Sequence, residues 1–495
     1  MGFRIAKIHY FYILLLFVAF LRREDVFRTF EMMRLKFIAF LDNDYVEYRD
    51  SISVFSQELQ LKFIAETQNV WQKINEHTKA AEEAFASGSV TLKTALDLQW
   101  LEINNFFGGK YEKLITSLKA DPDYHVEFTE IFTSKGYPIE RHYLTTADGY
   151  ILQLFRVQAR GQKGMNVFKK PVLLNHGIFC GGDVWVSNGE KLSPAFILAN
   201  SGYDVWIGNA RGNQFGRNHT WLNPDKDNDF WDFTWQHMAL YDVPDSIQYI
   251  YSITHQPVSI IGHSQGALTI LGMLASDVEG LVKPMLGKVF LLGPVMFMKN
   301  LNHDIVRATM EMDLNWFVEK LGVQEFAIPK RLLGPVLVYF CYFFSDLCGD
   351  LVQYLSDTDP SLVNANRVYV FTGRYPQGTS IKSILHFRQM ILAGDYVIKY
   401  FDYGPALNEI RYGTKIPPVL DLSSITTHLY VFGGLQDKLT NIEDIREGVK
   451  RLPSVTYQEI DAGHLSFLLG NNMSYIYTIM DAIEKDEPAQ QIMID

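Results

Sequence analysis

The spacing of apolar residues changes along the chain, and each change predicts a different kind of element. From Glu24 to about Ala120 they recur at helical intervals, as in Val26, Phe30, Met33, Phe37, Phe40 and Leu41. That stretch has no proline, and glycine only at Gly88, Gly108 and Gly109. It predicts amphipathic helices, broken near those glycines, that form a bundle or pack on the neighbouring domain. The composition changes at Pro122, which sets a domain boundary near residue 121. Two alternating runs between Tyr137 and Val157 then flank Ala147-Asp148-Gly149, the signature of a β-hairpin. Strand-like runs come next at Pro171 to Asn175, Tyr203 to Ile207, Val258 to Ile261, Val289 to Leu292, His428 to Phe432 and Thr456 to Ile460, alternating with helical ones. Such alternation predicts an α/β fold with a mostly parallel sheet covered on both faces. Between Pro294 and about Pro417 the rhythm lapses, so residues 295–417 read as an inserted helical cap.

The first 23 residues have a pattern of their own. Arg4 and Lys7 precede an apolar run from Tyr10 to Leu21, and Arg22-Arg23 close it. No small-x-small cleavage site comes after it, so an uncleaved membrane anchor is expected, with its basic flanks snorkelling. A cleaved signal peptide, a buried helix and a mitochondrial presequence are the alternatives. Residues 486–495 form a short tail.

Composition narrows the partners. Of 495 residues, 47% are hydrophobic and 14% aromatic, which suits an ordered globular protein larger than one typical core. A net charge of −11 leaves no basic excess to neutralise phosphates, so nucleic acid is not an expected partner. Three cysteines make no disulfide framework, and no Cys/His cluster has zinc spacing and no glycine-rich loop suits a phosphate. Neither metal nor nucleotide is expected.

Chemistry enters at Gly262-His263-Ser264-Gln265-Gly266. A β-branched run precedes these five residues and Ala267 to Leu274 reads as a helix after them, with Leu and Met on its buried side. This is the strand–turn–helix context of a nucleophile elbow, where bulky neighbours of the serine would collide with the chain. Ser264 needs a base, and that base needs a carboxylate to fix its tautomer. Asp437, in Gly433-Gly434-Leu435-Gln436-Asp437, and His464, in Asp461-Ala462-Gly463-His464, occupy two successive loops after strands, in the order Ser, Asp, His. Asp461 is a rival acid but sits too close to His464 in its own loop, and Asp242 precedes Ser264, so it reads as structural. After Pro171 to Asn175 comes His176-Gly177-Ile178, whose backbone faces the carboxyl end of the sheet. The N–H groups of Ile178 and Gln265 are the expected oxyanion donors, while the His176 side chain reads as a turn residue with a structural hydrogen bond. Arg211 reads as a buried residue that ties loops together. The apolar run at 332–344 suits a cap that binds acyl chains.

These motifs, over about residues 121–485, resemble the acid lipases, a family that includes lysosomal acid lipase, gastric lipase and fungal steryl ester hydrolases. The resemblance is carried by Gly149-Tyr150-Ile151-Leu152, the His176-Gly177 loop, Tyr203 to Gly212, Tyr241-Asp242-Val243-Pro244, the serine elbow and Pro376-Gln377-Gly378-Thr379-Ser380. It implies an α/β-hydrolase fold, cleavage of triacylglycerols or steryl esters by a Ser264–His464–Asp437 triad, and no cofactor. Two positions depart from the family: Ser466 stands where members usually carry Asp, and Arg374 where they commonly have His. The helical extension 24–120 lies outside the resemblance and is a candidate surface for a membrane or a protein partner. A serine carboxylic ester hydrolase acting on neutral lipid esters is the expected function, in the secretory or endomembrane system or else at a mitochondrial membrane. The alternative is a lipase fold retained as a structural subunit of a membrane assembly.

Overall fold

The computed structural model describes residues 121–301 except 162–164, 167 and 277, then 303, 306, 324–326 and 356–485. The expected anchor, the helical extension 24–120, Cys341, Cys348, the 332–344 run and the tail lie outside the described residues.

Ten strands are described: β1 Ile139–Thr145, β2 Ile151–Val157, β3 Pro171–Asn175, β4 Asp204–Ile207, β5 Val258–His263, β6 Leu286–Leu292, β7 Glu325–Phe326, β8 Thr379–Ser380, β9 Leu429–Gly434 and β10 Val455–Ile460. Eight form one sheet in the order β1-β2-β4-β3-β5-β6-β9-β10. The expected hairpin pairs antiparallel from Ile139↔Val157 to Thr145↔Ile151, and β2 is antiparallel to β4. From β4 to β10 every pairing is parallel. Every strand-like run of the sequence lies in this sheet; β6 starts three residues early, at half-buried Leu286, Gly287 and Lys288.

The central strands are buried on both faces, with successive side chains pointing to opposite sides. Leu173, Trp206, Ile260, Leu429 and Val431 enter one core with Ile247 and Ile250 of α2 (Val243–Thr254) and Leu268 and Leu271 of α3 (Gln265–Leu274). Their neighbours Leu174, Val205, Ile261, Tyr430 and Phe432 enter a second core. That core also takes Phe196 of α1 (Pro194–Asn200) and Ile476 and Ile479 of α7 (Tyr475–Glu484). Helix α3 was expected to bury one side, yet all ten of its residues are buried. Its outer side is covered as well: a Cβ on Gly272 would fall 2.9 Å from the Ala239 Cβ and 3.1 Å from the Trp235 ring.

Of the stretch expected to form a cap, 356–417 is described almost throughout and contains α4 (Val368–Arg374) and α5 (Ile381–Ala393). Strands β7 and β8 pair antiparallel as a small ribbon beside the main sheet. The ribbon leans on the loop after β3: Gln377 N donates to Phe179 O at 2.7 Å, and the Phe179 and Phe326 rings are 4.9 Å apart. Helix α6 (Ile442–Val449) joins β9 to β10.

Candidate active site

Ser264 succeeds β5 and opens α3 with φ +57° and ψ −122°, a left-handed conformation that costs a non-glycine residue free energy. Tight packing on both sides holds it there. A Cβ on Gly262 would lie 2.8 Å from Gly266 O, and one on Gly266 would lie 2.4 Å from Asn175 O and 2.6 Å from His176 O. The glycines thus let the elbow sink against the end of β3. Asn175 secures the contact by donating from Nδ2 to Gly266 O at 2.9 Å.

The three residues expected to cooperate are brought together. His464 Nε2 lies 2.9 Å from Ser264 Oγ, and His464 Nδ1 lies 2.8 Å from Asp437 Oδ2. Asp437 is fixed in turn: its Oδ1 accepts from the N–H groups of Leu439 and Thr440 at 2.8 and 2.7 Å, and its Oδ2 from Thr440 Oγ1 at 2.5 Å. Nδ1 of His464 therefore carries the proton, leaving Nε2 to accept from Ser264. Ser264, Asp437 and His464 are all buried. Burial alone lowers the His464 pKa, but the charge and hydrogen bond of Asp437, with the charge of Asp357, leave it above its ordinary value.

The neighbouring histidine is held differently. His263 Nε2 donates to His464 O at 3.0 Å, tying the elbow to the loop that carries the base. Burial and the nearby His464 push the His263 pKa well down, so His263 stays neutral.

Gly177 passes beside the serine. A Cβ on Gly177 would lie 3.0 Å from the Ser264 Cβ and 3.4 Å from its Oγ, an approach that favours glycine. Of the two expected N–H donors, Gln265 directly follows Ser264 as the first residue of α3, and Ile178 directly follows Gly177. The His176 side chain is structural, as expected: Nδ1 donates to Gly177 O at 2.8 Å, while Nε2 accepts from Ala210 N at 3.1 Å.

Arg211 ties loops, again as expected. It pairs with Asp148 and Asp242, and its guanidinium lies 4.0 Å from the Tyr150 ring centre. Asp242 is therefore engaged with Arg211, and exposed Asp461 with Gln436 Nε2 at 3.2 Å, so neither rival acid is bonded to His464.

One participant escaped sequence reasoning. Asp357, buried about midway along the expected cap, accepts from Leu465 N at 2.9 Å and Ser466 N at 3.2 Å. Its sequence neighbours, Ser356 and Thr358, carry no motif that would have marked it.

Comparison with known proteins identifies the family of the chain. Residues 128–189 match the family model for a partial alpha/beta-hydrolase lipase region, and residues 170–471 match that for the alpha/beta hydrolase fold. The chain is 34% identical over 342 residues to triacylglycerol lipase 1 of Arabidopsis thaliana, covering 68% of this chain and 84% of that one. It is 32% identical to the tear acid lipase-like protein of Mesocricetus auratus, covering 74% and 93%. It is 29% identical to gastric triacylglycerol lipase of Mus musculus, covering 76% and 93%.

Proposed function

The chain belongs to the α/β-hydrolase lipase family, and from that premise we propose that it hydrolyses neutral lipid esters through an acyl-enzyme formed on Ser264. The observation that carries this reading is the unbroken relay from Asp437 through His464 to Ser264, mounted on a strained elbow. Ser264 Oγ attacks the ester carbonyl while His464 Nε2 takes its proton. Asp437 holds the opposite N–H and stabilises the imidazolium that results. The N–H groups of Ile178 and Gln265 receive the negative charge that develops on the carbonyl oxygen, where one such donor typically contributes roughly 3 to 4 kcal/mol. Imidazolium then protonates the leaving alcohol. Water, deprotonated by His464, attacks the acyl-enzyme, and collapse of that second intermediate releases the fatty acid and restores Ser264.

Hydrolysis of an emulsified long-chain triacylglycerol, monitored by fatty-acid release, tests the proposal. Ser264→Ala is expected to reduce kcat by about four orders of magnitude or more. Equal rates for wild type and variant would sink the reading. The same assay with a steryl ester decides which neutral lipid is preferred. No observation favours the scaffold subunit over the enzyme.

Two proposals concern location. The apolar run from Tyr10 to Leu21 is suited to hold the protein at an endomembrane, which resistance to alkaline carbonate extraction tests. Asn218 and Asn472 head the triplets Asn218-His219-Thr220 and Asn472-Met473-Ser474, and neither asparagine is buried. A mobility shift after endoglycosidase treatment is the expected sign of the secretory route, and its absence would favour a mitochondrial membrane.

A further inference from the structure

The segment Ser356–Thr358 reaches both loops that carry the base and the acid. Its backbone bridges antiparallel to Asp437: Thr358 N donates to Gln436 O at 2.8 Å, and Lys438 N donates to Ser356 O at 3.1 Å. Its one buried carboxylate, on Asp357, turns the other way and caps the loop of His464 through Leu465 N and Ser466 N. The fit is close, because a Cβ on Gly463 would lie 2.1 Å from the Asp357 Cγ. Only a glycine beside the base leaves room for this side chain.

We propose that Asp357 is a positioning residue of the hydrolase: it clamps the Asp437 and His464 loops together and supplies a second negative charge behind the imidazole. The inference rests on the functional reading above and goes beyond the three triad residues. Burial and the charge of Asp437 leave the Asp357 pKa above its ordinary value, while the N–H of Leu465, the Ser356 side chain and the charge of His464 oppose that rise. The effect is mutual, since the Asp357 charge helps raise His464. The groups acting on His464 are then Asp437 and Asp357, with neutral His263 on the third side. A further consequence concerns the cap. Residue 357 belongs to the insertion rather than to the sheet, so the geometry of the base depends on how the insertion returns to the core.

A loop cap with no bearing on chemistry would make the same hydrogen bonds, so the test must read the imidazole itself. In the full chain, Asp357→Asn removes the charge and keeps an acceptor oxygen. The His464 ring is tracked by NMR titration, its signal identified by loss in His464→Gln, and kcat is measured per site titrated with a fluorophosphonate. The expected result is a lower His464 pKa, an acid limb of kcat/KM moved to lower pH, kcat per site down about tenfold and KM unchanged. Asp357→Ser, smaller and neutral, is the second variant should Asn fold poorly, and the same shifts are expected of it. Unchanged His464 titration and unchanged kcat per site, even with a lowered Tm, would overturn the proposal. If the wild type shows no Ser264-dependent hydrolysis, the hydrolase reading fails while the His464 titration still decides whether Asp357 acts on the imidazole.

Discussion

At the scale of single residues, the decisive quantity is the proton affinity of His464. Burial lowers its pKa, and two carboxylates more than reverse that, leaving it above 6.5. The base works only when neutral, so kcat/KM is predicted to rise with pH and reach half its plateau above the ordinary histidine range. Stability runs the other way. A histidine whose folded pKa is raised stabilises the fold fully below its unfolded pKa and loses that contribution as pH rises through the folded value. The catalytically competent form is thus slightly the less stable of the two. A pH profile of kcat/KM on a soluble short-chain ester checks this, and a half-maximum below the ordinary histidine value of about 6.5 would contradict it. Such a result would mean that desolvation outweighs both carboxylates.

At the scale of elements, the elbow shows why local rules have to be read with their surroundings. Ala is normally about 1 kcal/mol better than Gly inside a helix. Gly266→Ala is nevertheless predicted to destabilise the protein by about 1 to 3 kcal/mol, as overpacking does. The new Cβ meets two backbone oxygens, Asn175 O and His176 O, and neither can rotate away. Denaturant unfolding measures the sign, and a stabilised variant would show that the end of β3 yields. The same contrast explains what the sequence made legible. The strands stood out because each is a short β-branched or aromatic run, most of them buried on both faces, and the serine, acid and base stood out because each comes after a strand. Helix α3 misled only in its outer side, which is covered by residues 235–243, a segment whose contact depends on tertiary packing. Asp357 was invisible for a related reason. It acts on a loop about a hundred residues later, and nothing in its own stretch has a periodicity that points there.

For the molecule as a whole, the question is what holds the cap's return to the core, since the loop of Ile178 and the clamp at Asp357 both depend on it. Buried Asp183, in the loop after β3, gathers Arg374 at 3.2 Å, Tyr375 Oη at 2.6 Å and Gln377 Nε2 at 2.7 Å. Arg374 also donates to Asp123 O at 2.5 Å and Val126 O at 2.8 Å, and Arg367 pairs with Asp121 and Asp123. One buried network thus joins the segment entering the sheet, the returning cap and the loop beside the serine. Arg374→Met keeps much of the volume but leaves Asp183 with neutral donors alone. Breaking a buried pair from one side typically costs about 3 to 5 kcal/mol, because the remaining charge stays desolvated. The variant is therefore expected to unfold at lower denaturant, and adding Asp183→Asn is expected to restore part of the loss by removing the stranded charge. Because Gln377 N also holds Phe179 O, next to Ile178, the single variant should lose kcat as well as stability. A double-mutant cycle read in both stability and kcat separates the two effects. If stability falls and kcat per titrated site does not, the network anchors the cap without setting the backbone beside Ser264.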